Sequence, residues 1–338
     1  MTTSPKSSPP TTATTLRIRC AEDLIAVAPV VLGFHPTDSV VMITSDGDRP
    51  FQARSDLPDS SASQGDLESL AEDFVGGARR NGVRSPAFVF FSADEAAVHR
   101  AWPVLRRRCR QRLLTVATAI RADGRRWYPL LGDRQLRASG VPYDVSNHPF
   151  VAEAVLRGIV VAKDRAAVVA SVAADPAAQQ AVATVLWSTG LDVEPPPRTG
   201  AHRRRWGEWL QRVVARHVGT GSVATDEEVA RIAWAAGDVR VRDAAWALIT
   251  RADADRHRAF WSDVVRRVPD ALVPAPAALL GWAAWQAGHG ALAWIAVDRC
   301  REVDPDYGMA ALLAGCLERA VPPDQVDCPF SWDEGLPA

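Results

Sequence analysis

Leu32-Gly33-Phe34-His35-Pro36-Thr37-Asp38-Ser39, followed by the apolar run Val40 to Thr44 and then by Arg54-Ser55-Asp56-Leu57-Pro58, is the stretch on which the fold turns. Val40 to Thr44 is short and apolar enough for the middle of a sheet, and a Pro-containing, charged turn lies on either side of it. That pattern predicts a central strand with His35, Asp38, Arg54 and Asp56 near strand ends, where loops held by a rigid sheet commonly carry chemistry. The same residues can also cap helices or pair with one another, so both readings are carried forward.

Outward from this stretch the chain alternates. Ala21 to Leu32 reads as an amphipathic helix opened by Glu22 and Asp23, bent or ended at Pro29. Leu16 to Arg19 reads as a short strand before it. Asp46-Gly47 signals a hairpin that returns Phe51 to Ser55 beside the first strand. Leu67, Leu70, Ala71, Phe74, Val75 and Ala78 have helical spacing and stop at Asn81-Gly82. Ala87 to Phe91 reads as a central strand and Asp94 to Arg112 as a helix, while Asp123-Gly124 joins two further strands, Leu114 to Arg121 and Arg125 to Leu130. After Tyr143, a polar segment ending in His148-Pro149 leads into a helix from Phe150 to Arg157. Ile159 to Val161 is a strand or turn, and helices are expected over Arg165 to Ala173 and Pro176 to Ser188. The N-terminal half therefore reads as an α+β or α/β domain, a mixed sheet with covering helices.

Pro195-Pro196-Pro197 marks a linker. Beyond it the strand signals vanish, and helical patterns run to Ala320. Two hairpins there correspond at a spacing of 36 residues, with Trp246 matching Trp282 and Pro269 matching Pro305. Gly281, Ala293 and Pro305 have tetratricopeptide-like spacing, although Ala284 stands where that repeat carries an aromatic. The expected organisation is a disordered tail (1–14), an α/β domain (15–193), a linker (194–204), an all-α helical-hairpin domain (205–322) and a C-terminal tail (323–338).

With 338 residues, 47% hydrophobic and 23% charged, the chain can bury a sizeable core. A net charge of -1 argues against chain-wide engagement of nucleic acid, which leaves Arg203, Arg204 and Arg205 beside Trp206 as a local basic patch and weak, salt-dependent nucleic-acid binding as a third reading behind the two given below. Five scattered cysteines without a C-x-x-C pair suggest neither a disulfide framework nor a metal site, and point to a reducing, cytoplasmic setting. The Ser/Thr/Pro-rich start reads as a tail rather than a signal peptide, and no apolar run is long enough to span a bilayer. No cofactor is indicated: the chain has no P-loop, Gly-x-Gly-x-x-Gly, H-E-x-x-H or Gly-x-Ser-x-Gly.

Several of these segments in combination resemble the actinobacterial family catalogued as domain of unknown function 4192. They are Leu32-Gly33-Phe34-His35-Pro36 with Ser39, Arg54 with Asp56-Leu57-Pro58, Gly124-Arg125 with Trp127, Gly140-Val141-Pro142-Tyr143 with His148-Pro149, and Gly281 to Gly288 with Asp304-Pro305. Relatives carry a Cys-Cys-Pro segment after the Gly-Arg-Trp hairpin. Residues 131 to 139 here contain no cysteine, so no metal or redox role for that loop carries over. The resemblance implies a fold and a lineage without an activity.

Two functional expectations follow. One is a protein-interaction or scaffold module, docking an unidentified protein or a second copy through the helical half, with Trp285 and Trp294 as exposed contacts. The other is a hydrolase or small-anion-binding site built from His35, Asp38, Arg54, Asp56, Tyr143 and His148. In that site a histidine would act as base, a carboxylate would orient it and Arg54 would hold the anion. Against it stands a purely structural use of the same groups, in which Arg54 pairs with Asp56 and the two histidines satisfy turns.

Overall fold

A computed structural model describes residues 18–46, 52–191, 199–326 and 331–337. Six strands form one mixed sheet in the order β2-β1-β3-β4-β5-β6. They are β1 (Ser39–Ile43), β2 (Gln52–Asp56), β3 (Ala87–Phe91), β4 (Thr118–Ala122), β5 (Arg126–Pro129) and β6 (Val141–Pro142). β3 and β4 run parallel, with Val89 opposite Ile120; every other neighbouring pair is antiparallel, including β1 with β3.

Successive side chains on a strand point to opposite faces, and that alternation builds two cores. Val40, Met42, Phe88 and Phe90 face α2 (Gln64–Arg80) and α3 (Glu95–Gln111), where they meet Leu70, Phe74, Trp102 and Leu105. Val41, Ile43, Val89 and Ile120 face the other way, onto Leu24, Ile25 and Val27 of α1 (Ala21–Leu32). Helices thus cover both faces of the central strands. Pro29 does not end α1, which continues to Leu32 and closes on Gly33 (φ 79°), whose N–H reaches the Pro29 carbonyl at 2.9 Å. Part of the arginine run at the end of α3 is paired: Arg107 bonds Glu68, and Arg108 and the C-capping Arg112 bond Glu72 on α2.

Ile18 and Arg19 are not in a strand, and the rest of that expected strand lies outside the described residues, as do the expected tail (1–14), Gly47 of the expected hairpin and the three prolines of the expected linker. A short helix, α4 (Arg134–Ser139), precedes β6, and α5 (Pro149–Leu156) packs on α1. Residues 159–161 form no strand. Ala162 instead makes an isolated parallel bridge with Phe34.

The remaining elements are helical: α6 (Arg165–Ser171), α7 (Pro176–Thr189), α8 (Gly200–Thr220), α9 (Asp226–Ala235), α10 (Val239–Trp246), α11 (Ala254–Arg267), α12 (Pro274–Gln286), α13 (Gly290–Arg301) and α14 (Gly308–Glu318). Val182 and Leu186 of α7 belong to the helical core, with Leu210, Val229, Trp261 and Leu280. By packing, α7 therefore joins the helices after the linker rather than the sheet before it. The two hairpins related at 36 residues are unequal: α10 stops at Trp246, whereas α12 runs past Trp282 to Gln286. α10 packs on α8, while α12 packs on both α11 and α13. At the C-terminal end, Trp332 is buried against Gly207 of α8, and Arg204 donates to the Leu336 carbonyl at 2.9 Å.

Trp282 is 1% exposed and meets Trp246 and Trp285 edge to face, with ring centroids 5.0 and 4.9 Å away. Trp282→Ala is expected to cost about 3–5 kcal/mol in a denaturant titration. A loss under about 1 kcal/mol would contradict this core.

Candidate functional site

Asp38 sits at the corner between α1 and β1 with φ 40°, a left-handed backbone that Asp tolerates better than most residues. Its Oδ1 accepts from the Ser92 hydroxyl at 2.7 Å, and its carbonyl accepts from the Leu57 N–H at 2.8 Å. Ser92 follows β3 directly, is 5% exposed, and also accepts from the Asp94 N–H at 3.0 Å. Since β1 runs opposite to β3 and β4, its beginning and their carboxyl ends share one edge of the sheet. In α/β proteins that edge is the usual place for a ligand.

A strap closes the edge from above. The His35 N–H donates to the Ala162 carbonyl at 3.1 Å, and the Ala162 N–H returns to the Gly33 carbonyl at 2.8 Å. Between strap, α1, α5 and the strand ends lies a cavity of about 820 Å³. Its polar wall is His35, Thr37, Asp38, Ser92, Asp123, Tyr143 and Ser146; its apolar wall includes Ile25, Pro29, Val30, Phe91, Val151, Ala154, Val155, Ile159, Val160 and Val161. Neither Arg nor Lys contributes to the lining. The nearby Arg121, on β4, stacks on the Tyr128 ring at 4.0 Å and lies 3.4 Å from Glu95.

Asp123 opens the turn between β4 and β5. Its Oδ1 accepts from the N–H groups of Arg125 and Arg126 at 2.8 and 2.7 Å, and its Oδ2 from the Tyr128 hydroxyl at 3.0 Å. Burial raises the pKa of this carboxyl, yet those hydrogen bonds and the Arg121 charge outweigh it and hold Asp123 below the ordinary carboxylate range. For Tyr143, burial together with the Asp123 charge pushes the phenol up, against the opposing pull of the Gly124 N–H. Gly140 (φ 62°) fixes the approach to Tyr143, because a Cβ there would stand 2.6 Å from the Tyr128 ring.

Three of the six residues singled out in the sequence, His35, Asp38 and Tyr143, therefore meet in one cavity. Arg54 and Asp56 do not join them. Arg54 donates to the Ser39 hydroxyl at 2.6 and 3.0 Å, pairs with Asp56 at 2.5 Å and lies 5.9 Å over the Phe34 ring. His148 is the N-cap of α5: its Nδ1 accepts from the Phe150 N–H at 3.2 Å, which leaves Nε2 to donate to Asp23 at 3.0 Å. It clasps α5 to α1 behind the cavity. Ser92 and Asp123 were not singled out. Ser92 was signalled only as the first polar residue after an all-apolar strand, and Asp123 read simply as half of a turn.

Trp285 and Trp294 border a second cleft of about 870 Å³, between the β2 edge and the helices. Trp285 is 4% exposed and edge-stacked on Trp282, which corrects the expectation of an exposed contact; Trp294 is half-buried against the same core. The side chains are consumed by packing on a helix whose whole circumference is apolar. In this cleft charges pair internally, Arg251 with Asp324 at 3.4 Å and Arg165 with Asp298 at 3.9 Å. The basic patch is partly committed too, since Arg203 pairs with the buried Asp238 at 2.9 Å.

Burial pushes the Cys109 thiol up to about 11 and the Cys300 thiol up to about 12, so neither supplies a thiolate at neutral pH. Among the described residues no group of three or more His, Cys, Asp or Glu is placed to hold a metal ion. No described helix is long and apolar enough to cross a membrane.

The family model for the domain of unknown function DUF4192 matches residues 22–324, which includes the corner, the strap, both clefts and nearly all the helices. The chain belongs to the DUF4192 family. No curated protein and no solved structure matches it. Within this DUF4192 chain, the N-terminal segments that carried the resemblance divide between the cavity and structural clasps, while Gly281 to Gln286 lie in α12 of the helical core. His35 and Tyr143 line the cavity, whereas Arg54, Asp56 and His148 hold elements together.

Burial raises the Asp23 pKa, but the Arg19 N–H at 2.6 Å and the His148 imidazole outweigh it and leave the carboxyl below its ordinary range. A depressed carboxylate stabilises the fold above the unfolded-state value, about 3.9, and that contribution disappears as pH falls through the folded value. Stability measured by denaturant from pH 6 to pH 3 should therefore decline less steeply for Asp23→Asn than for the parent. Parallel curves would rule out this clasp.

Proposed function

We propose that the protein binds a small, largely apolar molecule in the cavity at the carboxyl ends of β3 and β4. The observation that carries this reading is the cavity itself: about 820 Å³, mostly apolar, with His35, Asp38, Ser92 and Tyr143 in its lining. Binding sites of drug-sized molecules have this size and this mixture of apolar wall and few convergent polar groups.

Hydrolysis is less well supported than binding. The Ser92 hydroxyl is turned to Asp38 and not to a histidine, and the His35 imidazole has no carboxylate partner among the described residues. A base oriented by a carboxylate and bonded to a nucleophile is therefore lacking. Anion capture by Arg54 is likewise unsupported, because its guanidinium is engaged by Ser39 and Asp56. The docking-module reading of the helical half loses Trp285 as an exposed contact. The unequal hairpins give no independent support to a tetratricopeptide-like array.

The test is thermal unfolding with neutral aromatic and aliphatic compounds of about 10–20 heavy atoms. A ligand present at 100 times its Kd should stabilise the protein by about 2.7 kcal/mol. Val151→Trp, which fills the α5 side of the cavity, should keep a cooperative unfolding transition and remove that stabilisation. Equal stabilisation of parent and variant would place binding elsewhere.

A further inference from the structure

We infer that the ligand of this cavity is an aliphatic amine, its cationic head held at Asp38 and its alkyl chain lying along α5 and the strap. The inference rests on the binding reading above and adds the charge and shape of the ligand.

The head follows from charge. Two carboxylates, Asp38 and Asp123, stand in the polar wall, and the lining holds neither Arg nor Lys to offset them. Arg121, which approaches from β4 and has Glu95 and the Tyr128 ring as partners, already compensates Asp123 in part, so among the described residues Asp38 is the lining carboxylate without a cation. Both oxygens of Asp123 are already engaged by hydrogen bonds, so it acts at the site through its charge. Asp38 differs: Ser92 takes Oδ1, and among the described residues Oδ2 has no partner. An ammonium group placed there gains a charge-assisted hydrogen bond, while a carboxylate or phosphate would face two negative charges. The His35 imidazole in the same wall offers a ring nitrogen to a second ammonium proton, and the Ser92 hydroxyl, bonded on both sides, fixes the direction of the Asp38 carboxylate.

The chain follows from the opposite wall. Val155 and Val160 line the cavity and yet are 68% and 86% exposed, and Ile159 beside them is 36% exposed. These side chains form an apolar rim continuous with the apolar interior formed by Ile25, Pro29 and Val161. A compact polar molecule would leave the rim in water. An alkyl chain leaving the head at Asp38 would cover it, and each methylene removed from water is worth about fourfold in affinity.

The experiment is isothermal titration of the full chain at pH 8, above the ordinary imidazole range, with decylamine, 1-decanol, decanoate and the shorter butylamine, hexylamine and octylamine. The parent protein should bind one decylamine at least about tenfold tighter than 1-decanol, with decanoate weakest and affinity rising along the amine series. Asp38→Asn keeps a residue type that tolerates the left-handed backbone and the Ser92 bond. It should abolish the advantage of the amine and leave 1-decanol unchanged. One-to-one binding of 1-decanol as tight as the amine would overturn the amine assignment and leave the cavity reading intact. An amine advantage that survives Asp38→Asn would overturn the placement of the cationic head at Asp38. Failure of all these probes, together with failure of the neutral compounds above, would instead overturn the cavity reading itself.

Discussion

A single aspartate corner ties three strands together at the edge where the cavity opens. The Asp38 carboxylate reaches Ser92 after β3, and its carbonyl reaches Leu57 after β2, while Asp38 itself immediately precedes β1. These bonds require φ near 40°, a conformation that an ordinary side chain resists and that Asp accepts. If the corner opened, Ser92 would be a buried hydroxyl whose proton has lost its acceptor, a loss of order 1–3 kcal/mol. The corner also commits Asp38 to face the cavity, and the strap at Ala162 then fixes Gly33 and His35 above it. One hydrogen-bonded turn thus does both jobs: it registers the sheet and supplies the polar end of the site.

The two large clefts differ in what their charges do. Between the β2 edge and the helices, arginines and carboxylates neutralise one another, and that surface reads as a seam between packed elements; Arg80, for example, donates to the Glu318 carbonyl at 2.9 Å. In the cavity the polar groups converge without a cation, and the opposite wall leaves valines in water. Ion pairs across a seam contribute little each, and their value here is geometric. A carboxylate oxygen with no protein partner among the described residues, on the exposed Asp38 beside exposed apolar side chains, is a more informative feature, since neither serves the packing of the chain.

Much of the sheet was readable because burial on both faces leaves a clear mark. Val40 to Ile43 and Ala87 to Phe91 are apolar at every position, and a strand covered on both sides must be. The Asp-Gly turn and the amphipathic spacing of α2 and α3 were equally direct. What the residues alone did not carry was distance. Arg54 and Asp56 lie near the quoted corner in sequence and chemistry, yet strand alternation and the Ser39 bond turn Arg54 to the other cleft. His148 read either as a site residue or as a turn-satisfying one; the second is nearer, and its Nε2 partner, Asp23 on α1, lies 125 residues away in sequence. The strap gave a weak signal because two backbone hydrogen bonds to Gly33 and His35 define it, and backbone bonds leave no residue pattern. Trp285 was misjudged from helical spacing, which assumes one wet face; α12 is enclosed on all sides.

The central claim is that the sheet-edge cavity, and not the seam, is where this DUF4192 protein meets its ligand. It is tested most directly by methyl-detected NMR of the Ile, Leu and Val side chains during a fragment titration. The account predicts shift changes concentrated at Ile25, Val151, Val155, Ile159, Val160 and Val161. Changes confined to Val31, Leu317 and Val321, which line the seam, would contradict it.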